Sequence, residues 1–118
     1  MAKVLVVDDS AFMRMRNAAL LKELGHEVVE AADGAQAVAL FKQERPDAVL
    51  MDITMPVMDG LQALKAILEV DPSARVAMVT AMGQQAIVME AIKAGARDFV
   101  VKPFDPERVQ AALRKLVA

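Results

Sequence analysis

Cysteine, tryptophan and tyrosine are absent from this chain, and histidine occurs once, as His26. Without cysteine there is no disulfide framework, thiol nucleophile or cysteine-based zinc centre, and a lone His26 cannot assemble a histidine metal cluster. Charge of one sign is lacking too. The 14 basic residues nearly balance the 16 acidic ones, leaving a net charge of −2 with no basic stripe, so direct nucleic-acid binding is not expected. No apolar run is long enough to span a bilayer, and Met1-Ala2-Lys3 leads straight into a short strand rather than a signal-peptide core, so no membrane association is expected. The expectation is a soluble, cytoplasmic, monomeric protein. What is present is a chain of 118 residues, 56% hydrophobic and 25% charged, which suits one globular domain over residues 1–118 built on a single core.

Short apolar runs alternate with amphipathic stretches along the whole length. Val4–Val7, Glu27–Ala31, Ala48–Met51, Val76–Val79 and Phe99–Val101 read as strands. Between them, helices are expected over Ala11–Leu24, capped by Ser10, with Leu20, Leu21 and Leu24 as its stripe, and over Ala35–Glu44, entered through Asp33-Gly34 and stopped by Arg45-Pro46. Two more are expected over Leu61–Val70 and over Gln84–Ala94, the latter with Ile87, Val88, Ala91 and Ile92 on one side and Gly95 as its cap. Asp105-Pro106 opens the last, in which Val109, Ala112, Leu113, Leu116 and Val117 recur at helical spacing. Five β-α units of this kind predict an α/β fold: an open, doubly wound, five-stranded parallel sheet with helices on both faces, (βα)5.

Four of the strands run out into polar residues suited to phosphate or metal chemistry. Asp8-Asp9 follow the first strand, Asp52 the third, Thr80 the fourth and Lys102 the fifth. In open α/β sheets ligands bind outside the carboxyl ends of the strands, so these groups are expected to meet in one crevice. Three carboxylates there would repel one another unless a cation sits between them. A hard divalent ion, Mg²⁺ or in its stead Mn²⁺, suits an all-oxygen donor set shared with a phosphate. Lys102 then serves as a second cation opposite, and Thr80 offers a hydroxyl donor, an arrangement fit to stabilise a phosphoryl group in transfer onto a carboxylate.

The segments Val7-Asp8-Asp9-Ser10, Met51-Asp52-Ile53-Thr54-Met55-Pro56-Val57-Met58-Asp59-Gly60, Thr80-Ala81 and Val101-Lys102-Pro103-Phe104 together resemble the receiver domains of two-component response regulators, over essentially the whole chain. The resemblance implies the flavodoxin-like strand order 2-1-3-4-5. It also implies that Asp52 accepts the phosphoryl group, that Asp9, Asp52 and the Thr54 carbonyl bind Mg²⁺ directly with Asp8 assisting through water, and that Thr80 and Lys102 contact the phosphoryl oxygens. A cis peptide between Lys102 and Pro103 belongs to the same pattern, as do Thr80 and the residue at position 99 as switch residues. A chain without an effector domain is similar to the stand-alone chemotaxis regulators of the CheY type. Its expected partners are then a sensor histidine kinase of the chemotaxis type, the flagellar motor switch protein and a phosphatase, and it would be a phosphoacceptor that assists its own phosphorylation and dephosphorylation rather than an enzyme acting on an outside substrate. A single-domain receiver in a phosphorelay unrelated to motility is the alternative.

Two departures matter, one at the switch position and one at the variable positions flanking the acceptor. Phe99 stands where chemotaxis regulators commonly carry tyrosine, which removes a phenolic hydroxyl but leaves ring movement open. Met82 and Thr54, flanking the acceptor, are expected to hinder orientation of an attacking water and so prolong the phosphorylated form. Two other classes fit these residues less well than the receiver. A haloacid-dehalogenase-type aspartyl phosphatase needs its nucleophile on the first strand with an acid two residues later, and here that later residue is Ser10. A flavodoxin-like flavin carrier needs a neutral phosphate loop after the first strand, where Asp8-Asp9 would repel the ligand.

Overall fold

Strand and helix alternate from end to end in the computed structural model, which describes residues 2–53, 55, 58–81, 84–102 and 105–117. The elements are β1 (Lys3–Val7), α1 (Ala11–Glu23), β2 (Glu27–Ala31), α2 (Gly34–Glu44), β3 (Ala48–Asp52), α3 (Gly60–Val70), β4 (Val76–Thr80), α4 (Gln85–Ala94), β5 (Asp98–Val101) and α5 (Pro106–Val117). All strand pairs are parallel, and the sheet order is β2-β1-β3-β4-β5. The expected fold class and strand order are therefore observed.

Alternation of side chains along each strand divides the core into two layers. Leu5, Val7, Val49, Met51, Val76 and Met78 pack beneath α2, α3 and α4 through Phe41, Leu64, Ile67, Val88 and Ala91. Val4, Val6, Leu50, Ala77, Val79 and Val100 pack against α1 and α5 through Leu21, Val109, Leu113 and Leu116. The central strands β3 and β4 are buried along their whole length, as strands covered on both faces must be. Each fully buried Leu or Met there contributes roughly 1.5–3 kcal/mol.

Local signals explain the helix ends. Ser10 accepts a hydrogen bond from the Met13 amide and Asp33 one from the Gln36 amide, each capping its helix. Asp59 and Gln62 form a reciprocal capping box at the start of α3. Asp105 accepts from the Glu107 amide ahead of α5. Gly25 and Gly95 carry the chain out of α1 and α4 with φ of 93° and 128°, which side chains with a Cβ adopt only under strain.

The apolar stripes of two helices are narrower than their sequences suggest. In α1 the buried residues are Asn17, Ala18 and Leu21, with Leu20 and Leu24 only half-buried. In α4 only Val88 and Ala91 are buried, while Ile87 and Ile92 are exposed. Helix α4 packs beside α3 toward the outer edge of the sheet and seats a thin ridge on it, so the flanking isoleucines of an apparently broad stripe remain in solvent. Val117 at the end of α5 is likewise exposed.

Candidate functional site

Register brings the acidic strand ends together. Val7 on β1 lies opposite Met51 on β3, so the residues that follow, Asp8 and Asp52, end the same strand pair. Asp52 in turn lies opposite Val79, and Thr80 opposite Val101, which sets Thr80 and Lys102 on the same rim. The chain leaves β1 toward β2 on one side and returns to β3 on the other, and the crevice opens at that switch point.

Within the crevice one ammonium sits between two buried carboxylates. Lys102 Nζ is 3.1 Å from Asp52 Oδ2 and 3.5 Å from Asp8 Oδ2. Asp8 is 2% and Asp52 4% exposed, so each carboxylate is costly to leave without a partner. Burial pulls the Lys102 pKa down, but the hydrogen bond and charge of Asp52, with Asp8 behind it, outweigh this and hold the ammonium above its ordinary 10.5. Asp9 is exposed at the mouth. One carboxylate oxygen from each of Asp8, Asp9 and Asp52 falls within 4.8 Å of the others. Three carboxylate oxygens so spaced, two of them drawn from buried side chains, form a hard, anionic donor set that fits a divalent ion such as Mg²⁺.

The surroundings fix these groups in place. The Ser10 amide donates to Asp8 Oδ1 at 2.9 Å, and Arg14 Nη1 donates to the Asp8 carbonyl at 2.7 Å while its Nε pairs with Glu30 at 3.3 Å. On the other side the Gly60 amide donates to the Ile53 carbonyl at 2.8 Å. A Cβ on Gly60 would collide with the Asp52 carbonyl oxygen and the Ile53 backbone, so the turn after β3 can close over Asp52 only with glycine at that position.

Thr80 lies on the same rim, 3% exposed, and its hydroxyl is engaged by the turn that leads into α4. Thr80 Oγ1 donates to Gln84 Oε1 at 2.7 Å, with the Ala81 carbonyl at 3.0 Å. Phe99 is 40% exposed on β5, its ring 5.9 Å from the Arg108 guanidinium. Arg108 also donates to both Asp98 oxygens, at 2.9 and 3.2 Å, and to the Phe99 carbonyl. Beside the ring runs an apolar groove of about 530 Å³ lined by Thr80, Val88, Met89, Phe99 and Val101.

Of the residues expected at the site, Asp8, Asp9, Asp52 and Lys102 are thus brought together, and Thr80 joins them at the rim with its hydroxyl engaged by that turn. The expected metal ligand Thr54, the Lys102–Pro103 peptide and the Met82 side chain lie outside the described residues. Sequence reasoning missed Gln84, read only as the start of a helix, as well as Arg14 and Arg108, since lone basic residues on helices carry no signal of what they hold.

The sequence model of the response regulator receiver domain matches residues 4–114. The chain is 54% identical over 115 residues to Chemotaxis protein CheY of Thermotoga maritima, covering 97% of this chain and 96% of that protein. It is 55% identical over 114 residues to Chemotaxis protein CheY of Bacillus subtilis, covering 96% and 95%. The fold superposes on a chain of the CheX-CheY-BeF3-Mg²⁺ complex from Borrelia burgdorferi with a TM-score of 0.91 at 37% identity, over 98% of this chain and 89% of that chain. The aspartyl-phosphatase and flavin-carrier readings are thereby set aside. With acids ending β1 and β3, a lysine following β5, and a family match running from the first strand into the last helix, the chain belongs to the response regulator receiver domain family.

Proposed function

We propose that this chain is one receiver unit that works as a stand-alone chemotaxis switch, taking a phosphoryl group onto Asp52 from the phosphohistidine of a sensor kinase. The observation that carries this reading is the Lys102 ammonium held between the buried carboxylates of Asp8 and Asp52. A cation at that point lowers the cost of bringing an anionic phosphoryl group to a carboxylate. An Asp52 oxygen forms the new bond to phosphorus as the bond to the donor nitrogen breaks, and the freed imidazole nitrogen keeps the electron pair. Lys102, with three protons, can hold Asp52 and a phosphoryl oxygen together. Asp8, Asp9 and Asp52 would hold Mg²⁺, which when bound neutralises charge on the phosphoryl oxygens.

Charge at Asp52 then draws the Thr80 hydroxyl inward, and the Phe99 ring follows into the groove beside β5. The surface formed by α4, β5 and α5 changes shape, shifting a two-state equilibrium that a target reads. The relatives named as chemotaxis proteins support a role in chemotaxis, and on this reading the target is the flagellar motor switch, the donor a chemotaxis-type histidine kinase and the terminator a phosphatase. The relative from Borrelia burgdorferi, solved with CheX, BeF3 and Mg²⁺, supports the metal and the protein partner. No helix among the described residues is long and apolar enough to cross a membrane.

The test is intact-mass spectrometry after incubation with acetyl phosphate, with and without Mg²⁺. A single phosphoryl adduct that needs Mg²⁺ and disappears in Asp52→Asn is expected. No adduct in the wild-type protein under either condition would remove the reading.

A further inference from the structure

The Thr80 hydroxyl has one proton, and two acceptors lie within its reach in this structure. Gln84 Oε1 is the nearer at 2.7 Å, the Ala81 carbonyl the farther at 3.0 Å, and the Ala81 amide donates to the same Gln84 oxygen at 2.9 Å. A carbonyl oxygen accepts two hydrogen bonds, and these two donors suit it. Gln84 is the N-cap residue of α4, yet its side chain makes no capping bond to that helix. Its amide carbonyl is instead turned back across the turn toward the end of β4.

Lys102 can share its protons between Asp52 and a further anion, whereas Thr80 cannot serve Gln84 and a phosphoryl oxygen at once. The geometry points to Gln84 as a resting-state latch: a positioning residue whose carbonyl competes with an anionic group on Asp52 for the Thr80 proton, and so ties charge at Asp52 to the start of α4. This rests on the phosphoacceptor reading above. A hydrogen bond to a charged oxygen is about twice as strong as one to a neutral amide, so the anion takes the proton when present and Gln84 takes it otherwise. Release of Thr80 removes one of the bonds fastening the first residue before α4 to β4. Because the groove beside Phe99 is lined by Thr80, Gln84 and Val88 together, the change is delivered to the side of α4 that faces β5.

The experiment titrates the full chain with beryllofluoride at fixed Mg²⁺ by calorimetry and follows the Ala81 amide and Thr80 methyl signals by NMR. Gln84→Met keeps the length of the side chain and removes the acceptor. It is expected to bind beryllofluoride about fivefold more tightly than wild type, the factor corresponding to one neutral hydrogen bond, and to shift the Ala81 amide before any ligand is added. Gln84→Ala must move in the same direction. Gln84→Glu keeps an acceptor and strengthens it, so its affinity is expected to fall below wild type. A residue of merely structural importance would lose affinity in all three variants. Unchanged or weaker binding in Gln84→Met and Gln84→Ala, with wild-type binding intact, overturns the latch alone. Failure of the wild-type protein both to bind beryllofluoride and to form the acetyl-phosphate adduct overturns the phosphoacceptor reading and the latch with it.

Discussion

Lys102 and Asp52 are 50 residues apart in sequence and 3.1 Å apart in space, joined by a single hydrogen bond at the mouth of the sheet. The same ammonium reaches Asp8 at 3.5 Å, so it neutralises a pair of acids that share the end of neighbouring strands. Three outcomes follow for Lys102→Met. Without metal the protein is destabilised by about 2 kcal/mol, less than a fully enclosed pair would lose because the lysine side chain is partly exposed. Mg²⁺ binds more tightly, by about tenfold, because it no longer competes with a fixed cation. Phosphoryl transfer nevertheless slows about a hundredfold through loss of a preorganised donor. Urea melts with and without Mg²⁺, paired with the mass assay, separate these effects. An unchanged Mg²⁺ affinity would show that the ammonium does not compete for the site.

Gly60 supports Asp52 from behind. A methyl group there meets the Asp52 carbonyl and the Ile53 backbone, neither of which can yield without moving the acceptor. Gly60→Ala is expected to cost about 3 kcal/mol and to weaken Mg²⁺ binding. Gly25→Ala meets open space and is strained only through its φ of 93°, so it costs about 1 kcal/mol and leaves the site untouched. Chemical denaturation of the two variants side by side, with Mg²⁺ titration of each, is the check. Equal losses for both would mean that the close approach over Asp52 does not control the site.

Much of the architecture was legible because strand and helix periods were clean and several helices carried a visible start or stop signal, such as Ser10, Asp33 and Gly95. Val4–Val7 and Val76–Val79 read as buried strands, and Asp105-Pro106 announced the last helix. Asp8, Asp9, Asp52, Thr80 and Lys102 were legible as a group because parallel strands deliver their carboxyl ends to one rim. Their facing was harder to foresee. Asp52 and Lys102 continue the strand positions that face α1 and α5, as Leu50 and Val100 do, whereas Thr80 continues the opposite face with Met78. That difference sends the Thr80 hydroxyl to Gln84, and it follows from counting by twos along each strand once the burial of one residue is known. The width of the α4 stripe could not be foreseen, because Ile87 and Val88 are equally apolar and only the path of the helix beside α3 decides which is covered. The capping box of Asp59 and Gln62 was present in the spacing and went unread.

Asp98 provides a pH signature. Burial alone would raise its carboxyl, but the paired hydrogen bonds from Arg108 and one from the Phe99 amide at 2.8 Å hold it below its ordinary 3.8. As pH falls, the unfolded chain takes up this proton before the folded one does. The stabilisation is therefore present above about pH 4 and is lost as pH drops through the lowered folded value. Asp98→Asn is expected to be less stable at neutral pH by about 2 kcal/mol, through loss of a charge-assisted bond, and to lose less additional stability between pH 5 and about 2. Guanidinium midpoints measured across that range for both proteins test this. An acid limb as steep in the variant as in the wild type would assign the pH sensitivity to other carboxylates.

Phe99 offers the most direct view of switching, because the chain contains neither tryptophan nor tyrosine to compete as a fluorophore. In this structure the ring is 40% exposed and lies 5.9 Å from the Arg108 guanidinium, next to the apolar groove lined by Val88 and Met89. On the proposed switch, the outward ring accompanies a Thr80 held by Gln84, whose side chain lines the same groove. Phe99→Trp introduces a single reporter at this point. Addition of beryllofluoride with Mg²⁺ is expected to shift its emission to shorter wavelength and to reduce quenching by acrylamide as the ring leaves water. In the Asp52→Asn background neither change should occur. Emission that stays put or moves to longer wavelength, while calorimetry reports beryllofluoride bound, would separate Thr80 movement from ring movement and confine the switch to α4.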